Sequence, residues 1–363
     1  MPFQIIRNDI TKVKADAIVN TANPRPVIGS GTDSAIYAAA GKDQLLVERK
    51  KIGNIEPGHA VSTPAFNLGA KYIIHTVGPA WIDGNHGERG TLRSCYEQSL
   101  ALAAELSCES IAFPMIATGV YGFPKNEALN IALSEVGKFL LTHDMKVTLV
   151  VFDRKALELS EKLVGGITEY IDEHSVKALR DVEYGGYASN SRQRMEEERR
   201  LAAERRRRMD ALPELEEATE EIEALPLLAP TTAGPFSDVA GKSLDEVLDG
   251  KEDTFQQRLF KLIDASGMDD VTVYKKANID RKVFSRIRCK EDYKPKKKTA
   301  VAFAIALELD MPTMLDLLSR AEIAFSPSSK FDLIVSYFIK NGNYDIFEIN
   351  AALFKYGQPI LGE

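Results

Sequence analysis

The sequence predicts an α/β domain with a mixed central sheet flanked by helices, then a charged linker, then an all-helical domain. Up to about residue 155, short apolar runs alternate with longer amphipathic stretches, the pattern of a sheet with helices packed on it. Charged residues, alanine and leucine then dominate Asn190–Leu225, and from Phe255 onward apolar residues recur at helical spacing. We expect the α/β domain over residues 1–180, the linker over 181–250 and the helical domain over 251–363.

The composition restricts the classes of protein to which the chain can belong. The net charge of -7 means that a surface able to bind a polyanion must be local. The three cysteines are odd in number and form no CxxC pair, which argues against a disulfide framework or a zinc site. No apolar run approaches the roughly 18 residues of a membrane span. The first residues already read as a strand, without a signal peptide. We expect a cytoplasmic protein.

The elements of the first domain follow from apolar periodicity and turn residues. Strands are expected at Phe3–Ile6, Ala17–Val19, Lys71–His75, Ser110–Pro114 and Val147–Phe152. Helices are expected at Thr32–Ala40, Gly90–Glu105, Lys125–Leu141 and Lys155–Leu179. In α/β sheets, ligands bind in the loops that leave the carboxyl ends of the strands.

The linker divides into three compositional parts. A basic half (Arg192–Arg208) precedes an acidic half (Glu214–Glu223), and no sustained a/d apolar seam is present, so a coiled coil is not predicted. The Pro- and Thr-rich segment Pro226–Pro235 is typical of a flexible tether.

Two glycine-containing loops suggest an anion site. Gly29 and Gly31 allow backbone amides to approach a ligand, and a helix beginning near Thr32 would present free N–H groups and the positive end of its dipole. The second loop, Ala117–Pro124, follows a buried strand and precedes the helix that begins at Lys125. Each loop alone could be an ordinary tight turn. Together, at neighbouring strand ends, they could hold a diphosphate.

Four segments in this order resemble the macrodomain family of ADP-ribose-binding α/β modules. They are DITK…DAIVNTAN (Asp9–Lys12 and Asp16–Asn23), GSGTDSAI (Gly29–Ile36), IIHTVGP (Ile73–Pro79) and ATGVYGFP (Ala117–Pro124). The resemblance covers the first domain and includes each ligand-binding segment of the family.

The resemblance implies a role for each matching residue. For the adenine, Asp9 and the Ile10 amide would bind its edge and Phe152 would pack on its face. The phosphates would be held between two loops, Thr118, Gly119 and Val120 on one side and Gly29, Ser30 and Gly31 on the other. Tyr121 and Phe123 would flank the distal ribose, and Asn23 would bond to its hydroxyls. Asn20 could contact the ligand or tie loops together. The aromatic residues could instead belong to the core, and Asp9 and Asn23 could cap helices or turns.

The resemblance also bears on catalysis. In members that cleave mono-ADP-ribose from acidic side chains, an Asn and an Asp ten positions later surround the distal ribose, and Asn23 and Asp33 keep that spacing. The carboxylate of Asp33 could position a water or stabilise developing positive charge; alternatively it caps a helix beginning at Ser34.

The loop beside this pair departs from the family pattern. Ile28 and Ser30 interrupt the usual four-glycine run, prolines flank Arg25, and Tyr37 stands where relatives commonly have His. These changes bear on substrate and rate more than on ADP-ribose binding. Because Asp33 is present at the expected spacing from Asn23, we favour an ADP-ribosyl hydrolase acting on mono-ADP-ribosylated protein or O-acetyl-ADP-ribose, with a non-catalytic reader as the alternative. Neither metal nor cofactor is expected; ADP-ribose is the ligand or product.

The last domain resembles lambda-repressor-like helix-turn-helix proteins. Helices are expected near Phe255–Ala265, Val273–Ala277, Arg281–Arg288, Lys296–Leu307, Met311–Ser319, Phe331–Lys340 and Ile346–Phe354, with Arg281–Arg288 in the place of the recognition helix. Eleven lysines and arginines against three carboxylates give residues 271–300 a local charge of +8. Nucleic acid is therefore one expected partner, and a protein that binds the same face is the other. The expected contacts are Arg281, Lys282, Ser285, Lys296, Lys297 and Lys298.

Overall fold

Short apolar runs form one six-stranded sheet in the computed structural model, which describes residues 2–152, 163–164, 167–168, 170–171 and 253–362. The strands are β1 (Phe3–Arg7), β2 (Ala17–Thr21), β3 (Ala60–Pro64), β4 (Tyr72–Thr76), β5 (Ser110–Pro114) and β6 (Lys146–Val151). Their order across the sheet is β1-β6-β5-β2-β4-β3. All neighbours are parallel except β3, which pairs antiparallel with β4 at one edge. The mixed sheet predicted from the sequence is confirmed.

Alternation along the strands divides the core into two layers. Ala17 and Val19 of β2 face one layer, whereas Ile18 between them faces the other, because successive side chains of a strand point to opposite faces. The α-helices between residues 2 and 152 are α1 (Thr32–Ala40), α2 (Lys42–Ile52), α3 (Glu88–Glu105) and α4 (Lys125–Thr142). Helices α1 and α2 cover the Ile18 face, and α3 and α4 cover the opposite face.

The sequence missed two elements of this part. The strand β3 was not predicted, because two of its five residues are polar and it ends in proline, which is tolerated at a sheet edge. The helix α2 was not predicted either: only Leu45 and Arg49 are buried on it, so its apolar periodicity is weak. The helix expected at Lys155–Leu179, the charged segment Asn190–Leu225 and the Pro/Thr segment lie almost wholly outside the described residues, as do the boundaries near 180 and 250.

Seven helices make up residues 253–362, as predicted. They are α5 (Phe255–Ser266), α6 (Asp270–Lys276), α7 (Arg281–Cys289), α8 (Lys297–Ala306), α9 (Met311–Ser319), α10 (Lys330–Lys340) and α11 (Ile346–Lys355). The helix α8 is central, since Thr299 to Ala306 are all buried. Side-chain caps begin most of the others; Thr254 and Gln257, for example, form a reciprocal capping box at α5. None of the helices in the described part of the chain is both long and apolar enough to cross a bilayer.

These helices pack directly on the α/β part, and residues of both belong to one compact unit. The ring of Phe347 on α11 meets Phe3 of β1 edge-on at 5.2 Å between centroids, and a Cβ at Gly137 of α4 would lie 3.1 Å from the Phe347 ring. Lys275 donates to the carbonyl oxygen of Leu141 at the end of α4, at 3.3 Å. The contact therefore involves β1, one edge strand of the sheet, and the second half of α4.

Candidate functional site

One edge of the sheet collects the loops that carry the candidate residues. Because five strands are parallel, their carboxyl ends lie at the same edge. The segments that leave this edge are 8–13 after β1, 22–31 after β2, 77–87 after β4, 115–124 after β5 and Phe152 after β6. They hold all the residues expected to bind ADP-ribose except Asn20, which lies within β2.

The carboxylate of Asp33 ties the glycine loop to β2. It is 2% exposed; one oxygen accepts the Gly29 amide at 2.6 Å, and the other accepts the side-chain amide of Asn20 at 2.6 Å. A Cβ at Gly29 would lie 3.2 Å from this carboxylate, so the close approach requires glycine. Burial raises the pKa of Asp33 despite these two bonds. The helix α1 begins at Thr32 after Gly31, so the alternative role of Asp33 as the cap of a helix starting at Ser34 is wrong.

A buried polar chain continues from Asp33 beneath the loop. Asn20 is fully buried, and its Nδ2 also lies 3.1 Å from Nδ1 of His75, whose Nε2 is 3.0 Å from the Thr63 hydroxyl. The Asn20 amide therefore donates to Asp33 and to His75, and the neutral imidazole donates to Thr63. Among the described residues, the Asn20 carbonyl oxygen finds no donor. Burial, followed by the nearby Arg49 charge, lowers the pKa of His75 to about 3.

Asn23 lies at the start of the loop, two residues after β2. Its side-chain oxygen accepts the Arg25 amide at 3.1 Å, which is the turn role considered above. The loop backbone is held from below by Arg49 of α2, whose Nη2 lies 3.2 Å from the carbonyl oxygens of both Asn23 and Pro24. The Asn23 side-chain amide nitrogen has no acceptor among the described residues and can donate to a ligand.

The two loops present free backbone donors. The N–H groups of Ser30, Gly31, Thr118, Gly119 and Val120 donate to no acceptor in the described part of the chain. Val120 is 85% exposed, and Ala117 before it has a φ of 62°, which turns the loop sharply after β5. The helices α1 and α4 begin directly after these loops, so both positive dipole ends lie there. Free amides and two helix N-termini are the groups that can bind an anion, as the sequence predicts for these loops.

The three aromatic residues differ in exposure. Phe152 is 81% exposed at the end of β6 and is free to stack on a flat ligand. Tyr121 is half-buried, and its pKa is raised first by burial and then by the Asp33 charge, which places its hydroxyl near that carboxylate. Phe123 is 2% exposed and packs against Trp81 at 4.7 Å between centroids. This contact fixes the loop 115–124 against Trp81. A contact of Phe123 with the ribose stays a prediction.

Asp9 and Ile10 lie at the far end of the cleft, after β1. One oxygen of Asp9 accepts both the Thr11 amide at 3.0 Å and the Thr11 hydroxyl at 2.8 Å; these bonds, the hydroxyl first, lower the pKa of Asp9. Asp9 thus caps the 3-10 turn Ile10–Lys12, as one alternative held. Its second oxygen meets no donor in the described residues and stays available as an acceptor.

Comparison with known proteins settles the family. The macro domain model matches residues 19–132. A macro domain-containing protein of Listeria monocytogenes is 45% identical over 171 residues, which are 45% of this chain and 97% of that protein. The chain belongs to the macrodomain family. The O-acetyl-ADP-ribose deacetylase of Citrobacter rodentium is 42% identical over 167 residues, 45% of this chain and 94% of that protein. Among solved structures, the Oceanobacillus iheyensis macrodomain with ADP is 36% identical, covering 42% of this chain and 85% of that one, with a TM-score of 0.41.

Two residues of the macrodomain were not predicted as part of the site. Arg49 and His75 are both buried, and each contacts the network that holds Asn23 or Asp33. His75 lies within the IIHTVGP segment that carried the family resemblance, so the segment was identified but not the role of its histidine. Arg49 stands in a lysine- and arginine-rich stretch that looks like an exposed helix face, and only the fold shows that it is buried.

One cluster of candidate metal ligands occurs in the described residues. Asp83 and His86 of the loop before α3 lie close to Glu88, the first residue of that helix. The Glu88 carboxylate accepts the backbone amides of four residues between Ile82 and His86, at 2.7 to 3.3 Å. Its oxygens thus stabilise the loop that leads into the helix, and we assign the cluster no metal.

The basic cluster is smaller on the folded surface than in the sequence. Within the described residues, five of its eleven cations pair with carboxylates, and all five of these partners lie outside residues 271–300. The pairs are Lys275–Asp144, Lys276–Glu308, Arg288–Asp270, Lys294–Glu322 and Lys297–Asp332. Lys297 is among the expected nucleic-acid contacts and is engaged internally. Arg281, Lys282, Ser285 and Arg286 are exposed on α7, and the three cations have no ion-pair partner within the described part.

The turn between α6 and α7 is buried against the macrodomain. Asn278 is 1% exposed; its side-chain oxygen accepts the Phe3 amide at 2.8 Å, and its nitrogen donates to the Phe3 carbonyl at 3.0 Å. A second such bond, at 3.3 Å, reaches the Leu361 carbonyl. Helix-turn-helix proteins place the start of the second helix in the major groove. Here α7 begins at Arg281, three residues after Asn278, which is bonded to β1. The resemblance to helix-turn-helix proteins therefore stays a prediction.

The buried histidine predicts a pH dependence of macrodomain stability. Because the pKa of His75 falls from 6.5 to about 3 on folding, the unfolded chain binds one more proton below pH 6.5. The free energy of unfolding should therefore fall as the pH drops from 6.5 towards 3, by up to about 1.4 kcal/mol for each pH unit. Urea unfolding of the protein and of His75→Gln between pH 6.5 and 5 measures the difference in slope. The exposed His143→Gln variant is the control, and equal slopes for the protein and His75→Gln would contradict the assignment.

Proposed function

We propose that the cleft binds ADP-ribose and hydrolyses ADP-ribosyl adducts. The observation that carries the proposal is the set of five free backbone N–H groups on two loops, each loop followed by a helix N-terminus. Such a set suits a diphosphate, whose charge the dipoles and amides stabilise. A diphosphate bound by these amides would have Asp9, which follows β1, on one side and Asn23, which follows β2, on the other.

The remaining contacts divide the ligand between those two ends. Asp9 would accept the adenine amino group with its free oxygen, beside the Ile10 amide, and the exposed Phe152 ring would cover the adenine face. Tyr121 would flank the distal ribose, and the Asn23 amide would donate to a ribose hydroxyl. These assignments rest on the family resemblance together with the exposed or free state of each group.

Hydrolysis would take place at the anomeric carbon of the distal ribose. As the bond to the leaving group breaks, positive charge develops on the sugar, and the buried Asp33 carboxylate would stabilise it while Asn23 orients the ribose. A water then attacks that carbon and its proton goes to the departing carboxylate, so the products are ADP-ribose with a free anomeric hydroxyl and the carboxylic acid. The substrates we favour are mono-ADP-ribosylated protein and O-acetyl-ADP-ribose; the printed name of the Citrobacter rodentium relative supports the second.

A pair of assays tests this function. Calorimetry with ADP-ribose measures binding, and turnover is measured on a mono-ADP-ribosylated protein and on O-acetyl-ADP-ribose. Binding with turnover supports the hydrolase. Binding without turnover of either substrate leaves a non-catalytic reader, and absence of binding overturns the proposal as a whole.

Removal of the Asp9 carboxylate should weaken ADP-ribose binding. We expect Asp9→Ala to lose about 1.5–3 kcal/mol of binding free energy, the usual range for a hydrogen bond to a charged group. Calorimetry measures the change, with Asp43→Ala as the control, because Asp43 is an exposed carboxylate at the start of α2. An unchanged dissociation constant for Asp9→Ala would remove this residue from the adenine site.

For the C-terminal helices we propose a nucleic-acid contact through the exposed side of α7. The unpaired, exposed state of Arg281, Lys282 and Arg286 favours it. Replacing all three by alanine should lower the slope of log affinity against log salt by up to about 2.7, because each neutralised phosphate releases counterions. Ser285, Lys296 and Lys298 complete the expected surface.

The measurement is a salt titration of the full chain on short DNA and RNA duplexes and single strands. Lys294→Ala is the matched control, since Lys294 is exposed but pairs with Glu322. If the unmodified chain shows no salt-sensitive retention at about 50 mM salt, the contact is ruled out. The same surface is then to be tested as a protein-binding face.

A further inference from the structure

Arg49 is a buried cation whose partners are backbone carbonyls. Its side chain is on α2, and the residue is 1% exposed. Nη1 donates to the Gly53 carbonyl, and Nη2 donates to the carbonyls of Asn23 and Pro24 at 3.2 Å each. No carboxylate of the described residues lies within ion-pair distance of the guanidinium. A buried charge is usually paired with an opposite charge, because its desolvation is expensive.

The segment that Arg49 holds is the one that carries Asn23. Further backbone bonds fix the same segment: the Ala22 amide donates to the Thr76 carbonyl at 2.9 Å, and the Ile55 amide donates to the Pro24 carbonyl at 2.9 Å. Since Pro24 cannot donate and has a restricted φ, the backbone here has few alternative conformations. Loss of the guanidinium would leave two carbonyls without their common donor.

The charge of Arg49 also acts on groups beneath the glycine loop. It opposes burial at Asp33 by favouring the ionised carboxylate, and it favours the ionised form of the Tyr37 hydroxyl, whose pKa burial nevertheless raises to about 12. The other groups that face Asp33 are the Asn20 amide, the Gly29 N–H and the Tyr121 hydroxyl. His75 lies on the far side of Asn20 and contributes no charge, because burial lowers its pKa to about 3. The positive charge of Arg49 thus favours the ionised form of Asp33.

We propose that Arg49 is a positioning residue of the cleft, which fixes the Asn23–Pro24 backbone beneath the distal ribose and balances the charge of Asp33. This inference rests on the proposed hydrolysis. A purely structural role would be to cap the end of α2 through Gly53, which is the helix C-cap. Only the Nη2 bonds reach the Asn23 loop, so the two roles predict different consequences for catalysis.

The test compares Arg49→Met, Arg49→Lys and the control Arg93→Met. Arg93 of α3 pairs with Glu135 in the middle of α4, on the opposite face of the sheet from α1 and α2. Values of kcat and KM for O-acetyl-ADP-ribose are measured from pH 4 to 8, with calorimetry for ADP-ribose. Arg49→Met should lower kcat by about 10- to 100-fold, the effect of a displacement of about 1 Å in a catalytic group. ADP-ribose affinity should change much less.

The pH profile separates positioning from simple loss of structure. Without the positive charge the pKa of Asp33 rises, so the ionised, active form appears only at higher pH and the acid limb of kcat moves upward. Arg49→Lys should restore the position of that limb but only part of kcat, because an ammonium cannot reproduce the geometry of the guanidinium. Arg93→Met should leave both unchanged.

A measurement independent of turnover accompanies the kinetics. Amide hydrogen exchange of Ala22 and Ile55 in the ligand-free protein should accelerate in Arg49→Met. The Ala22 amide is the donor next to Asn23, and the Ile55 amide donates to Pro24, so both bonds involve the segment that Arg49 holds. The proposal is overturned if Arg49→Met has the same kcat, the same acid limb of the pH profile and the same amide exchange rates as the unmodified protein. If that variant fails to fold, Arg49→Lys decides: unchanged kcat and exchange would likewise overturn it. A wild-type protein that binds but does not turn over either substrate contradicts the hydrolase function, and exchange then still tests whether Arg49 fixes the loop.

Discussion

Replacing Asp33 by alanine is expected to lower turnover of an ADP-ribosyl adduct by about 10²- to 10⁴-fold. Asn23→Ala should act in the same direction, because both groups matter most as charge develops on the distal ribose. The affinity for ADP-ribose should change far less in both variants, since the free amides of the two loops hold the diphosphate. Single-turnover rates and calorimetry, measured on the same preparations, separate the two effects.

The controls address the structural role of Asp33. The variant Asp33→Asn keeps the size of the side chain but places an amide against the Gly29 N–H, whereas Asp43→Ala removes a carboxylate from the same position of the next helix, where it is exposed. Unfolding curves show whether each variant is folded at the assay temperature. If folded Asp33→Ala hydrolyses adducts as fast as the unmodified protein, Asp33 has no part in catalysis.

Replacing Asn278 by alanine is expected to have the largest effect on stability. The substitution leaves the Phe3 amide and carbonyl and the Leu361 carbonyl without partners in a buried place. It also puts alanine at a φ of 53°, where asparagine is favoured. Together these effects should lower the free energy of unfolding by about 3–5 kcal/mol. Urea denaturation of the full chain measures the change.

The comparison variant is Asn341→Ala. This asparagine is exposed at the end of α10, and its amide donates to the Tyr337 carbonyl at 2.8 Å. It should lose less than about 1 kcal/mol, because water replaces an exposed hydrogen bond. Equal losses in the two variants would show that Asn278 contributes little to docking of the C-terminal helices on β1.

Strands and helices with strong local patterns could be predicted from the sequence. Thr32–Ala40, Ser110–Pro114 and Met311–Ser319 were predicted with the bounds that the structure shows. Each combines an apolar rhythm with clear start and stop residues: glycine on both sides of Thr32–Ala40, for example, and Asp310 before Met311. The carboxyl-edge loops followed from the same reasoning, because parallel strands deliver their ends to one place.

Contacts between distant segments could not be predicted in this way. Asn278 meets Phe3 across 275 positions, and nothing in either local sequence indicates the pairing. Arg49 was hidden for a related reason: whether an arginine in a charged helix faces water or the interior depends on what covers the helix. The charge of +8 counted over residues 271–300 overstates the surface charge, because all five compensating carboxylates lie outside that window.

The side chain of Asn278 protects part of the exposed edge of the sheet at Phe3. An edge strand such as β1 exposes donors and acceptors to which a further strand could be added, from the same chain or another. Asn278 supplies one donor and one acceptor at the right spacing, as an incoming strand would, but its side chain carries no second row of backbone groups beyond them. Asn278 therefore occupies the place at Phe3 where a further strand would bond. In a chain that lacks this residue the Phe3 backbone groups would be unpaired, and at high concentration we expect such edges to pair with those of other molecules.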